Sequence, residues 1–324
     1  MPVALPSRVP VWAWNALMAR VAPGELRRFN AEPVRTVTVT RDLPYGGSRD
    51  PEQRLDVLVP EGSAPGDPLP VYVYFHGGGW TAGDKAPLTK YCASQADAGM
   101  IVVNANYRRA DHRARSGHQM QDMLTDASAV LGWVRRSIAD FGGDPDRVVV
   151  GGDSAGGQIA ALTTAIQRSP VLAEHYEIDP FEGPVIKGLV QHCSVADFRI
   201  VFERGFIMGL DFVRMLLPDR ARGLTRSRLI DAAHFLSPVE WLDASAPPTL
   251  VTSSARDFLY RANLNLAARL REHGTDVDSL FLGREAVRAR HTWQQDASLP
   301  ESQLVYRRLQ EFVGRVAAPG LSAA

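Results

Sequence analysis

The sequence predicts an α/β fold: a mostly parallel central sheet flanked by helices, with a helical cap. Three observations predict it. Short apolar runs without polar alternation, such as residues 71–75 (VYVYF) and 148–150 (VVV), suit strands buried on both faces. Segments of helical period fall between such runs, the alternation of a parallel sheet covered on both sides. One crossing is explicit: residues 147–158 read RVVVGGDSAGGQ, a strand, a glycine turn and a small-residue helix in succession. No linker divides the chain and no internal repeat is visible, so residues 1–324 read as a single domain.

The elements follow in order. Residues 11–22 (VWAWNALMARVA) form an apolar run interrupted by Asn15 and Arg20. No clean cleavage site follows, so an amphipathic helix is predicted rather than a signal peptide. Residues 36–40 (TVTVT) alternate as an edge strand, and 55–59 form a second strand stopped by Pro60. A Gly/Pro/Asp-rich loop at 61–70 leads into the strand at 71–75, which runs directly into His76-Gly77-Gly78-Gly79-Trp80. Residues 101–105 are the next strand, and 111–117 a charged irregular loop. Met123, Ala127, Val130, Leu131 and Val134 recur at helical spacing. After the helix at 159–166 come strands at 185–190, 249–252 and 277–282. Helices follow at 264–270 and 304–313, with fraying from Pro319 onward.

Residues 194–236 break the alternation. The segment carries Phe198, Phe202, Phe206, Met208, Phe212 and Met215, too apolar a set for a surface loop. It reads either as helical cap material over the carboxyl end of the sheet or as ordinary core helix. Cap elements are therefore expected from residues 1–35 and 194–236.

Composition removes several function classes. Lys+Arg and Asp+Glu each number 36, giving a formal net charge of +0. There is no global electrostatic case for nucleic acid or an anionic membrane. No apolar run reaches the roughly 18 residues of a spanning helix, so no stable membrane insertion and a cytoplasmic location are expected. Cys92 and Cys193 read as buried thiols rather than a disulfide, and no metal-ligand cluster is visible. A homodimer is left open.

The chemistry starts at Gly152-Asp153-Ser154-Ala155-Gly156, a G-x-S-x-G pattern between a buried strand and a helix. A serine hydroxyl is a weak nucleophile until a base removes its proton. Asp257 follows the strand at 249–252, and His291 follows the strand at 277–282. Both lie beyond carboxyl ends, on the rim where Ser154 emerges, and they give the order nucleophile, acid, base. Asp276 and Asp278 lie on the wrong rim. Among other histidines, His273 reads as a helix cap, and His112, His118, His175 and His234 fall in irregular segments. His192 ends a strand and is a candidate pocket residue. The glycine run at 77–79 suits close backbone approach to a substrate. The expected oxyanion donors are the N–H groups of Gly77, Gly78 and Ala155, with His76 structural.

HGGGW at 76–80, GDSAGG at 152–157, Asp257 and His291 together resemble the α/β-hydrolase fold, specifically the hormone-sensitive-lipase-like carboxylesterases. Asn106-Tyr107-Arg108, FGGDPDR at 141–147 and Ser237-Pro238 support the resemblance, which runs from about residue 55 to 313. It departs from the family pattern at Phe258-Leu259 after the acid and at Thr292-Trp293 after the base. The resemblance implies a cofactor-free esterase that acts through an acyl-enzyme beneath a helical cap. Ser154 matches the nucleophile, Asp257 the acid and His291 the base.

The function expected is hydrolysis of a small to medium apolar carboxylic ester, a small-molecule substrate. Trp80, Phe206, Met208 and Phe212 are the expected substrate contacts. An arylformamidase, lactonase or natural-product-tailoring hydrolase is the alternative on the same scaffold, and a non-catalytic binding module the rival from another class.

Overall fold

In the computed structural model, alternate residues of one strand divide between two cores. The model describes residues 9–47, 49–63, 67–110, 117–179, 183–204, 206–218 and 224–319. Val71, Val73 and Phe75 pack into one apolar cluster, and Tyr72 and Tyr74 into the other. This is the period-two consequence of a pleated strand covered on both faces. That strand is β3 (Leu69–Phe75). Among the described residues it is joined by β1 (Val37–Pro44), β2 (Arg54–Pro60), β4 (Ile101–Ala105), β5 (Gly143–Asp153), β6 (Ile186–His192), β7 (Thr249–Ser254) and β8 (Val277–Leu282).

The strands lie in the order β1-β2-β4-β3-β5-β6-β7-β8. β2 runs antiparallel to both β1 and β4, and every other pairing is parallel. The chain moves from β3 outward to β4, then crosses back past β3 to β5. Such a reversal opens a crevice at the carboxyl ends of the strands on either side of it.

The helices are α1 (Val11–Phe29), α2 (Thr89–Ala96), α3 (Met120–Ser137), α4 (Ala155–Ile166), α5 (Pro170–His175), α6 (Leu210–Leu216), α7 (Arg226–Ala232), α8 (Tyr260–Glu272) and α9 (Pro300–Val316). Every residue of α4 is buried. Its alanines, glycines and threonines let it lie close against the sheet, directly behind β5. α3 begins with a reciprocal capping box between Gln119 and Asp122, which fixes its start ahead of the apolar stripe. α2 has no sequence signal of comparable strength: its eight residues (TKYCASQA) show no clear apolar stripe.

The expected cap segment divides. Residues 198–202 form a 3₁₀ turn, followed by α6 and α7; residues 205 and 219–223 lie outside the described set. Phe198, Phe212 and Val213 are fully buried, so much of this segment is core. α1 instead lies across the carboxyl rim of the sheet. Its first backbone N–H, from Val11, donates to Asp211 Oδ2 at 2.8 Å, and Val9 pairs with Met208 in an isolated bridge. The charged loop expected at 111–117, with His112, falls largely on residues 111–116, outside the described set, as do residues 1–8 and 320–324. Among the described residues no helix is long and apolar enough to cross a membrane.

Candidate active site

β5 ends at Asp153, and Ser154 turns the chain into α4 with φ 53° and ψ −119°. This backbone region costs a non-glycine residue about 1–3 kcal/mol and is held only where the surroundings fix it. Two bonds do so: Ser154 N–H donates to the His192 carbonyl at 3.0 Å, and Val195 N–H donates to the Ser154 carbonyl at 3.1 Å. Gly156 has to be glycine, since a Cβ there would lie 2.1 Å from the Phe75 carbonyl oxygen. The turn thrusts Oγ away from the backbone, over the end of the sheet.

His291 Nε2 lies 3.0 Å from Ser154 Oγ, and His291 Nδ1 lies 2.9 Å from Asp257 Oδ1. Asp257 follows β7, and His291 sits in the segment after β8. Phe258 packs its ring 4.4 Å from the imidazole, centroid to centroid. Burial pushes the Asp257 carboxyl up, but the charge and hydrogen bond of His291, the Cys193 thiol and the Leu259 N–H outweigh it. The carboxyl therefore lies below its usual value and is ionised at neutral pH. An anion there keeps the proton on Nδ1 and turns the Nε2 lone pair toward Oγ, the orientation that lets imidazole remove the hydroxyl proton.

Ligating atoms of Cys193, Asp257 and His291 fall within 4.8 Å of one another, a grouping invisible in the linear sequence. These atoms already bond one another, thiol to carboxylate and carboxylate to imidazole. Cys92 and Cys193 are both buried and unbridged.

The glycine loop corrects one expectation. Gly77 N–H donates to Asp153 Oδ1 at 3.1 Å and so is turned away from any substrate. Among the described residues the N–H groups of Gly78 and Gly79 have no hydrogen-bond partner. They take up φ 131° and 62°. At the start of α4 the first-turn N–H of Ala155 has no intrahelical partner. These three N–H groups are the candidate oxyanion donors. Three consecutive glycines carry no sequence mark to tell them apart; the distinguishing bond comes from Asp153, far along the chain. His76 fixes the loop, as expected of a structural histidine. Its Nδ1 bonds the Gly77 carbonyl at 2.7 Å, its ring stacks on Tyr107, and burial lowers its pKa.

A cavity of about 510 Å³ opens above Ser154, within the range of a small-molecule site. Trp14, Met18 and Phe29 of α1 line it, together with Trp80, Met208 and Phe258. Trp80 and Met208 are therefore where a substrate contact requires them. Phe206 and Phe212 are not. Phe206 packs on Phe258, and Phe212 is fully buried beneath Trp14 and Trp80. Residues 1–35 were expected among the cap elements; of these, Trp14 and Met18 line the cavity together with Phe29, which the sequence did not single out. His192 does not line the cavity either. It is buried between Tyr91 and Thr252, and burial pushes its pKa down to about 3. Asp276 and Asp278 pair with Arg315 and Arg308 at the opposite rim.

Esterase LipQ of Mycobacterium tuberculosis is 28% identical over 299 residues, covering 90% of this chain and 64% of that protein. Carboxylesterase NlhH of Mycobacterium tuberculosis is 42% identical over 105 residues, covering 32% of this chain and 31% of that protein. The chain thus spans less than two thirds of the length of these relatives. Among solved structures, esterase B of Lactobacillus rhamnosis matches with a TM-score of 0.80 at 22% identity, over 95% of each chain, in a form inhibited by a tributyrin phosphonate. The Pyrobaculum calidifontis esterase matches with a TM-score of 0.68 at 20% identity, over 94% of this chain and 93% of that one. Likeness at these identities shows a shared fold. A family model described as alpha/beta hydrolase fold matches residues 72–285, more than half of the sequence. The chain belongs to that family.

Proposed function

We propose that the chain is a serine carboxylic-ester hydrolase acting through an acyl-enzyme. The observation that carries this is the relay from Ser154 Oγ to His291 Nε2 at 3.0 Å and from His291 Nδ1 to Asp257 at 2.9 Å. Ser154 Oγ attacks the ester carbonyl as His291 takes its proton. The developing oxyanion is held by the N–H groups of Gly78, Gly79 and Ala155. His291 then protonates the departing alcohol, and Asp257 stabilises the imidazolium between the two transfers. Water, activated by the same imidazole, hydrolyses the acyl-enzyme. Side chains and backbone of this chain, with water, carry every step.

The substrate class proposed is a small to medium apolar ester. The cavity volume and its aromatic and methionine walls support that reading. So does the relative inhibited by a tributyrin phosphonate, an analogue of a short-chain triacylglycerol. α1 and residues 206–212 act as the cap over the bound ester.

The test is covalent. A p-nitrophenyl alkylphosphonate should add one phosphonyl mass per chain, at Ser154 by peptide mapping. p-Nitrophenyl acetate and butyrate should be turned over by the wild type and not by Ser154→Ala. Label at another residue, or turnover by Ser154→Ala near the wild-type rate, would overturn the mechanism.

A further inference from the structure

Asp153 is the residue that the proposed mechanism leaves unused. It is fully buried at the end of β5, one residue before Ser154. Its carboxylate accepts from three different parts of the molecule. Tyr74 Oη on β3 donates at 2.5 Å, Gly77 N–H in the glycine loop at 3.1 Å, and Gln295 Nε2 in the segment beyond His291 at 2.9 Å. A Cβ on Gly77 would lie 2.4 Å from Asp153 Oδ2, so the glycine loop is seated directly on the carboxylate. The nucleophile turn, the oxyanion loop and the loop of the base therefore meet at one side chain.

We propose that Asp153 is a positioning residue, whose ionised carboxylate ties the Gly77 loop and the Gln295 segment to the nucleophile strand. In this arrangement Gly78, Gly79 and His291 stay in register with Ser154 Oγ. The inference rests on the serine-hydrolase reading. An anion binds N–H and O–H donors more strongly than a neutral carboxyl, which has to turn one oxygen into a donor. Protonation would therefore set one of the three donors against an O–H and loosen a loop. A shift of a fraction of an ångström in an oxyanion donor is enough to slow acyl transfer.

The surroundings isolate this effect. The titratable groups facing Asp153 are Tyr72 and Tyr74 on β3, Cys92 on α2, Tyr107 after β4, Cys193 after β6 and His291. Burial raises every tyrosine and cysteine of that set, so they stay neutral in the acid and neutral range. Burial also pushes the Asp153 carboxyl up, against its three donors and the charge of His291, to about 6. Asp153 is thereby brought into the range between acid and neutral.

The experiment has two arms. In the first, kcat and KM for p-nitrophenyl butyrate are measured from pH 5 to 8 for the wild type, Asp153→Asn and Gln295→Leu. Wild-type log kcat should show a fall toward acid as Asp153 protonates through about pH 6. Asp153→Asn should lose about 10-fold or more in kcat at pH 8, with KM within about twofold, and should lack that step. Gln295→Leu removes a donor to the anion, so its acid limb should move to higher pH. Superimposable profiles for all three proteins would overturn the proposal.

The second arm needs neither substrate nor variant. Amide exchange at residues 76–80 and 291–295, corrected for intrinsic rates, should lose protection in the wild type as pH falls through about 6. Constant protection there would overturn the proposal even if no ester is turned over. A wild type without turnover overturns the hydrolase reading alone.

Discussion

The indole N–H of Trp14 donates to the carbonyl of Gly78 at 3.2 Å, and the same ring packs edge-on against Phe212 at 6.4 Å. α1 thus buttresses the glycine loop at residues 76–80. Trp14→Phe keeps the apolar wall and removes the bond. One lost hydrogen bond of about 1 kcal/mol would lower kcat roughly fivefold, with KM little changed. Trp14→Ala also opens the wall and should shift preference toward longer acyl chains. Steady-state rates over a p-nitrophenyl ester series separate the two; an unchanged series for both variants would detach α1 from the site.

Met18 and Met208 face the cavity, whereas Phe212 is fully buried behind it. Met18→Ala and Met208→Ala should change the ratio of kcat/KM between short and long esters, with small changes in melting temperature. Phe212→Ala should cost about 3–5 kcal/mol of stability and leave that ratio unchanged. The check is thermal melts run beside the substrate series. A Phe212→Ala protein of normal stability and altered preference would reverse the assignment.

Two buried aspartates on the same rim should move stability in opposite directions with pH. Asp153 is raised from 3.8 to about 6 in the fold, so its ionisation costs stability. That cost is absent below about pH 4, grows between pH 4 and 6, and is complete above pH 6. Asp153→Asn should therefore be more stable than the wild type at pH 8, by up to about 3 kcal/mol, and nearly equal to it near pH 4. Asp257 is lowered in the fold, so it contributes stability above its unfolded value, and that stability is lost as pH falls through the folded one. Asp257→Asn should be less stable at neutral pH, converge with the wild type in acid, and lose about three orders of magnitude or more in kcat. Urea titrations at pH 4, 6 and 8 give both signs. Equal shifts at all three values would contradict the electrostatic account.

Gly156→Ala places a methyl group 2.1 Å from the Phe75 carbonyl oxygen, where the neighbour is backbone and has no rotamer to change. The nucleophile turn and β3 must separate. The variant should lose several kcal/mol of stability and all measurable turnover. A soluble Gly156→Ala protein with wild-type melting and rates would mean that the turn is not held as described.

How much of this was legible in the sequence depends on the range of each interaction. Strand β5, the glycine turn and α4 are contiguous, so RVVVGGDSAGGQ specifies them locally. Asp257 and His291 were accessible because chain order and rim position restrict the choice. The Gly77 assignment failed because it turns on an acceptor 76 residues away. Phe206 and Phe212 were misplaced for a related reason: apolar density marks burial and does not say whether the buried face meets a cavity or a neighbour. α1 was expected as an amphipathic helix among the cap elements, but nothing in its own residues singles out Phe29, or separates the cavity-lining Trp14 and Met18 from the exposed Trp12 and Leu17.

α1 is made before its last packing partners. Val11 and Asp211, which bond through the Val11 N–H, are 200 residues apart, and Ser154 and His291 are 137 apart. At about 5–20 residues per second of synthesis, roughly 10–40 s pass between the first of these pairs. Trp14 lacks Phe212 for all of that interval, and Trp12, 63% exposed even in the finished fold, stands beside it. These tryptophans leave apolar surface uncovered on the nascent chain over that interval. A chain stalled before residue 208 carries Ser154 but neither His291 nor a settled wall. On the mechanism proposed above, the serine has no proton acceptor until residue 291 has been made.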